Sequence, residues 1–276
     1  MLKSIKQLVK NRFTGGAFIS LCVIAFIAIF SPLLTPYSPI DTKPEDRLLA
    51  PGHLHYFGTD ELGRDIFSRI LAGTRISVGI ALFAILLAAL VGTFIGSFSG
   101  FIGRWIDQVI MRSTDVLLAF PTLVLALALS AALGPSIVNA ALAIAIVKLP
   151  IYMRLARTQA LSISQTLYVK SARTFGVKSG WIVRRHIVPN LLTPIVIQIS
   201  LDIGDAILLI ATLGFLGLGA QPPTPEWGAM ISTGWNYLID QWWYPTFTGA
   251  AIFITVMAFN IIGDGIRDLL DPKAGE

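Results

Sequence analysis

Long runs of apolar residues leave this 276-residue chain few ways to fold. They cover about 17–34, 77–98, 116–133, 137–151, 191–213 and 248–262. Most reach the ~17–25 residues that carry a helix across the hydrocarbon of a bilayer. Lipid offers no hydrogen bonds to a peptide group, so a spanning segment must be a helix or a strand of a closed barrel. Barrel strands alternate apolar and polar residues, and these runs are continuous. The chain is 54% hydrophobic and 13% charged, with a mean hydropathy of +0.72; soluble domains average about 25% charged residues. The expected fold is an all-α integral membrane protein with about six transmembrane helices. Gly134-Pro135-Ser136 makes the third and fourth a tight hairpin, and Pro121, Pro150 and Pro194 predict kinks or helix ends.

Charge sets the orientation. Lys3, Lys6, Lys10 and Arg12 precede the first run, and no small-x-small cleavage pattern follows it, so it reads as a retained first helix. With both termini in the cytoplasm, the inner segments hold sixteen basic and six acidic residues, and the outer ones five and eight. This satisfies the positive-inside rule, with Lys148 counted among the inner charges. The net charge of +5 sits beside membrane segments and gives no indication of nucleic acid. The single cysteine, Cys22, excludes an internal disulfide.

The inner loop from about 154 to 190 holds Arg154, Arg157, Lys170, Arg173, Lys178, Arg184 and Arg185 and no acidic residue. It is too long for a simple hairpin turn. Tyr168, Val169, Ala172 and Phe175 fall on one side of a predicted helix, with Lys170 and Arg173 opposite. Gly176 breaks that helix, and a second basic segment runs to Pro189. Such a loop is either a docking surface for a soluble partner or a solvated stretch that only fixes topology.

Two outer segments are substantial. Around residues 37–76, Pro36, Pro39, Pro44 and Pro51 favour extended chain, and an amphipathic helix at the membrane surface is expected around 60–71. Leu62, Ile66 and Ile70 would form its apolar face, with Asp60/Arg64 and Asp65/Arg69 at i,i+4 spacing. Residues 214–247 are rich in glycine, proline and tryptophan, as an interface belt requires.

Familiar catalytic chemistry is missing. No G-x-x-x-x-G-K-[ST] phosphate loop and no H-E-x-x-H helix is present. His53-x-His55 supplies two of the four ligands a metal site needs. Asp202 and Asp205 lie near the middle of the fifth span on one helix face, with Gln198 one turn before them. Intramembrane carboxylates are expensive and often functional, so they are candidates for a translocation path or for ion coupling. Alternatively they face a bundle or a partner subunit, since no cation in another span stands out as a partner.

Four blocks carry a resemblance. Tyr168 to Gly176, then His186 to Asn190, resembles the EAA loop of ABC-importer permeases. Lys170-Ser171-Ala172 stand where that pattern has Glu-Ala-Ala, and Gly176 and Pro189 keep its glycine and proline spacing. Gly58 to Arg69, Phe215 to Gly228 and Asn260 to Pro272 resemble the dipeptide/oligopeptide/nickel permeases, specifically the C-type member of the pair. The resemblance implies a type I ABC-importer permease fold in a bacterial inner membrane. Residues 1–76 would form a cytoplasmic tail, first helix and periplasmic segment, and 77–276 the core. It implies a second homologous permease, two cytoplasmic ATPase subunits holding ATP and Mg, a periplasmic substrate-binding protein and surrounding lipid, with no cofactor in this chain. Tyr168, Lys170, Ser171, Ala172, Gly176, Arg184, Arg185 and Pro189 would serve the ATPase-coupling loop. Gln198, Asp202 and Asp205 would line the path, and Gln221, Thr224, Glu226 and Trp227 would meet the binding protein. An ion-coupled secondary transporter using Asp202 and Asp205 is the alternative.

Overall fold

The computed structural model describes residues 12–270, and side chains from 13 to 268. The side chains of Lys3, Lys6, Lys10, Arg12 and Lys273, which enter the orientation argument, lie outside the described residues, as does Pro272. The described residues form helices, with one isolated bridge between Thr59 and Asp65. In chain order these are α1 (Arg12–Leu34), α2 (Ile66–Ile102), α3 (Arg104–Leu118), α4 (Thr122–Leu133), α5 (Ile137–Ser164), α6 (Leu167–Thr174), α7 (Ser179–Phe215), α8 (Trp227–Trp235) and α9 (Trp243–Leu270). Helices α1, α2, α5, α7 and α9 are long and apolar enough to cross a membrane, and the α3–α4 pair makes a sixth span if counted as one.

That pair replaces the single span expected at 116–133, and its break falls at Pro121, where a kink or helix end was expected. The chain breaks between Leu118 and Thr122, and the two axes meet at 95°. Pro121 has no amide hydrogen to continue the helix, and Phe120 before it is pushed out of helical geometry. The twelve residues of α4 reach only about 18 Å, short of the ~30 Å of hydrocarbon. The Gly134-Pro135-Ser136 turn forms as expected. Gly134 takes a positive φ of 88°, Asn139 Nδ2 donates to the carbonyls of Leu133 and Gly134, and the Ser136 side chain caps α5.

The separate surface helix expected at 60–71 does not form. Residues 60–65 are a turn closed by Asp60, whose Oδ1 accepts from the amides of Leu62 and Arg64 at 2.9 Å. The helix begins at Ile66, capped by Asp65 through the Ser68 amide at 2.7 Å, and runs unbroken for 37 residues. That is about 55 Å of rod. Leu62 is therefore off the helix and partly exposed, while Ile66 and Ile70 are buried.

Among the described helices α2 packs most extensively on α5. Gly92, Gly96 and Gly100 recur every four residues on α2 and meet the α5 backbone at Leu149, Tyr152, Met153 and Arg157. A Cβ on Gly92 would stand 2.7 Å from that of Tyr152, and one on Gly96 would collide with the Met153 carbonyl. In lipid, close packing replaces the hydrophobic effect as the force holding helices together, and small residues permit it. Buried alanines continue both helices through the core. Helices α7 and α9 complete the bundle, and α1 lies outside against α2 and α9.

Residues 35–65 fold back as a cap over one end of the bundle. Its buried charges are satisfied internally. Fully buried Asp60 binds Arg64 Nε at 2.7 Å and lies 3.4 Å from Arg69 Nε. Arg69 Nη1 donates to the Pro39 carbonyl at 2.7 Å. Glu61 accepts from Arg64 and, at 2.7 Å, from the Tyr244 hydroxyl of α9. Asp65 pairs with the ring of His55 at 2.9 Å rather than with Arg69, and His53 is exposed.

Candidate coupling loop and buried ion site

The segment 154–190 leaves the end of the bundle opposite the cap. Helix α6 is amphipathic, but its predicted apolar side splits in two. Val169 is completely buried and Ala172 packs on the core, whereas Leu167, Tyr168 and Phe175 point outward. Phe175 is 84% exposed. Lys170, Ser171 and Arg173 are also on the surface. After Thr174 the chain reverses through Gly176 at φ +75°. The Gly176 amide donates to Arg173 O at 3.0 Å and the Val177 amide to Ala172 O at 3.1 Å. This is the two-bond closure that ends helices on a left-handed residue, a conformation glycine adopts without strain.

The basic residues divide into two groups. Arg157 grips Asp107 of α3 through two 2.6 Å bonds, and Asp107 also accepts from Ser99 at 2.7 Å. Arg154 pairs with Asp115 at 2.8 Å. Arg173 donates to the Phe101 carbonyl at 3.0 Å and stacks 4.0 Å over the Phe101 ring. These three hold the loop to the bundle. Lys170, Lys178, Arg184 and Arg185 are exposed, and Arg184, Arg185 and Pro189 share a surface pocket with Trp181. A π-turn at Val183–Ile187 inserts there before α7 enters the bundle.

Asp202 and Asp205 have a cation that sequence reasoning missed. Lys148 of α5, 54 residues earlier, places Nζ 2.7 Å from Asp202 Oδ1 and 3.3 Å from Asp205 Oδ2. Gln198 Nε2 donates to Asp202 Oδ2 at 3.0 Å. Lys148 and Asp202 are both buried, while the Asp205 side chain is 64% exposed. Lys148 therefore belongs within the bundle and not among the inner-loop charges. The signal was present: Lys148 interrupts the run Ala143 to Tyr152, and a charge there needs an opposite charge across the bundle. Gly204, between the aspartates, leaves room for Asn260 of α9.

A family model described as binding-protein-dependent transport system inner membrane component matches residues 92–276. Another, described as the N-terminal TM domain of oligopeptide transport permease C, matches residues 3–51. The chain belongs to the binding-protein-dependent permeases of ABC importers. Similar relatives include the probable D,D-dipeptide transport system permease protein DdpC of Escherichia coli, 50% identical over 273 residues, covering 99% of this chain and 92% of the relative. The dipeptide transport system permease protein DppC of Alkalihalophilus pseudofirmus is 47% identical, with 98% and 89% covered. The glutathione transport system permease protein GsiD of Pectobacterium atrosepticum is 44% identical, with 94% and 86% covered. The chain is a multi-pass subunit of the inner membrane.

The permease carries its third candidate site between α7 and α8. Gly217, at φ +78°, ends α7 with the same two-bond closure as Gly176. Gln221 is exposed and Thr224 half-buried, next to a cis Pro222-Pro223 bond. Glu226 and Trp227, expected at a surface, are inside. Glu226 caps α8, accepting from the Gly228 and Ala229 amides at 2.8 and 2.9 Å and from Ser77 Oγ at 3.4 Å. Burial pushes its carboxyl above the ordinary carboxylate range, against the opposite pull of those two amides. Trp227 Nε1 donates to Ile70 O at 3.2 Å, beside Gly73. These two side chains fasten the turn to α2, which leaves Gln221 and Thr224 as its accessible part.

Proposed function

We propose that this permease forms half of the translocation path for short peptides or similar small solutes, delivered by a periplasmic binding protein. The relatives are named for D,D-dipeptides, dipeptides and glutathione, all short peptides, and this supports that substrate class. A second homologous permease supplies the other half, and two cytoplasmic subunits hydrolyse ATP with Mg. Both termini and the loop 154–190 lie on the cytoplasmic side, in keeping with the basic residues of that loop. Residues 1–76 act as the N-terminal unit and 77–276 as the core, although α2 runs through their boundary. Gln221 and Thr224 face the binding protein.

The observation that carries the mechanism is α6. A short helix anchored by Val169 and Arg173 presents Leu167, Tyr168 and Phe175 outward. Exposed aromatic residues clustered on a rigid base are what an interface anchor requires. Seated on an ATPase subunit, α6 transmits closure of the ATPase pair through Arg157–Asp107 and Arg173–Phe101 into α2, α3 and α5. The spans then rock between inward- and outward-open states, driven only by differential binding to each. Asp205, the exposed arm of the ion site, faces the path or the second permease, because a carboxylate left in lipid costs about 2.5–3.5 kcal/mol or more. Lys148 neutralises Asp202, so ion coupling through a free carboxylate pair loses its support.

Gly176→Val tests the coupling. A branched side chain is strained at that φ, so ATP hydrolysis by the reconstituted complex should continue while labelled dipeptide uptake falls at least tenfold, with membrane insertion intact. Full uptake by this variant would overturn the role of α6.

A further inference from the structure

We infer that Arg184, Arg185 and Trp181, together with the apolar groove that follows on the same helix, form a site for one anionic phospholipid. Among the described residues Arg184 and Arg185 make no ion pair, unlike Arg154 and Arg157 on the same loop. With Trp181 and Pro189 they line a pocket of about 520 Å3. Arginine matches a phosphate with paired, charge-assisted hydrogen bonds. Tryptophan prefers the headgroup level of a membrane, and basic pockets beside spanning helices are where anionic headgroups settle.

A second, independent feature follows on the same helix. Val188, Leu192 and Ile199 of α7 and Leu86, Leu90 and Thr93 of α2 line an apolar groove of about 300 Å3. The helices run antiparallel, so Thr93 and Val188 lie at the basic end and Leu86 and Ile199 deeper. From Val188 to Ile199 is about 16 Å of helix, close to one leaflet of a ~30 Å core. Thr93 Oγ1, at the basic end of that groove, is buried without a hydrogen-bond partner among the described residues, which leaves a hydroxyl to donate to an ester carbonyl. A charged pocket at Arg184, Arg185 and Pro189, followed along the same helix by a leaflet-deep groove that starts at Val188, fits a ligand with a phosphate and an acyl chain, and fits a free anion or an uncharged lipid less well.

The test is native mass spectrometry of the assembled transporter, exchanged into phosphatidylglycerol or phosphatidylcholine, with inorganic phosphate as competitor. Retention of one phosphatidylglycerol, at least tenfold over phosphatidylcholine and unaffected by phosphate, is the expected result. The double variant Arg184→Gln/Arg185→Gln should lose that preference. Leu90→Trp, which fills the groove from an exposed position and leaves both arginines in place, should reduce retention as well. Equal retention of the two lipids would overturn the site, and so would displacement by phosphate. Loss of ATPase subunits from the double variant with lipid retention unchanged would assign the arginines to the ATPase interface and overturn it equally. None of these readouts requires transport, so the outcome is separate from the test of α6.

Discussion

The two ends of the bundle treat their polar residues in opposite ways. In the cap at 35–65, Asp60, Arg64, Arg69, Asp65 and His55 turn inward and satisfy one another. In the loop at 154–190, Arg154, Arg157 and Arg173 bond to the bundle, while Lys170, Arg184 and Arg185 stay outside beside exposed Leu167, Tyr168, Phe175 and Trp181. Both ends carry motifs of the family. One motif is structural cement and the other leaves its side chains exposed, as the proposed docking on an ATPase subunit requires, and burial tells them apart where residue type does not.

The largest effect should come from opening the closed end. Asp60→Ala leaves Arg64 and Arg69 buried without their shared carboxylate, a loss of about 3–5 kcal/mol. Membrane yield and thermal stability in detergent should both collapse; a stable variant would show that the cap is looser than its hydrogen bonds imply. Lys148→Met is milder, because Asp202 keeps its hydrogen bond from Gln198 and Asp205 is largely exposed. A loss of about 1–3 kcal/mol is expected, recovered when Asp202→Leu is added, and a double-mutant cycle measures the coupling. At the open end Phe175→Ala should change stability by no more than about 0.5 kcal/mol. Association with the ATPase subunits, read by co-purification titration, should weaken about tenfold, or roughly 1.4 kcal/mol. The reverse pattern for Phe175 would erase the contrast between the ends. The smallest effect concerns Glu226. Its folded carboxyl holds its proton more tightly than the unfolded one, so its contribution to stability falls as pH rises from the ordinary 4.5 toward the raised value. Glu226→Gln should remove that part of the slope in melting temperature, and a slope identical to the parent's would contradict a buried, raised carboxyl.

Much of the architecture was legible because hydropathy reports on the bilayer directly. The spans, the Gly134-Pro135-Ser136 turn and the glycine stop at 176 all follow from local chemistry. Contacts across the bundle did not. Lys148 and Asp202 are 54 residues apart, and a lysine beside Pro150 reads as a helix end until α7 is packed against it. Glu226 and Trp227 look like surface residues because nothing local reveals that Ser77 and Ile70 wait above them. The spacing of Gly92, Gly96 and Gly100 was in plain view, but only the α5 backbone gives it meaning. Leu62 matched a helical period and still fell outside, since the side chain of Asp60 closed a turn first.

One consequence of the glycine contact reaches beyond packing. With Met153 seated on Gly96, α2 and α5 cannot slide past each other without backbone collision, so they must travel as one girder. Its lower end is tied to α6 by Arg173 at Phe101 and to α3 by Arg157 at Asp107; its upper end is Ile66, bonded into the cap through Gly58 O. A girder transmits tilt undiminished and shape change hardly at all. A displacement imposed on α6 therefore arrives at the far face as a swing of the whole cap, its ion pairs unbroken.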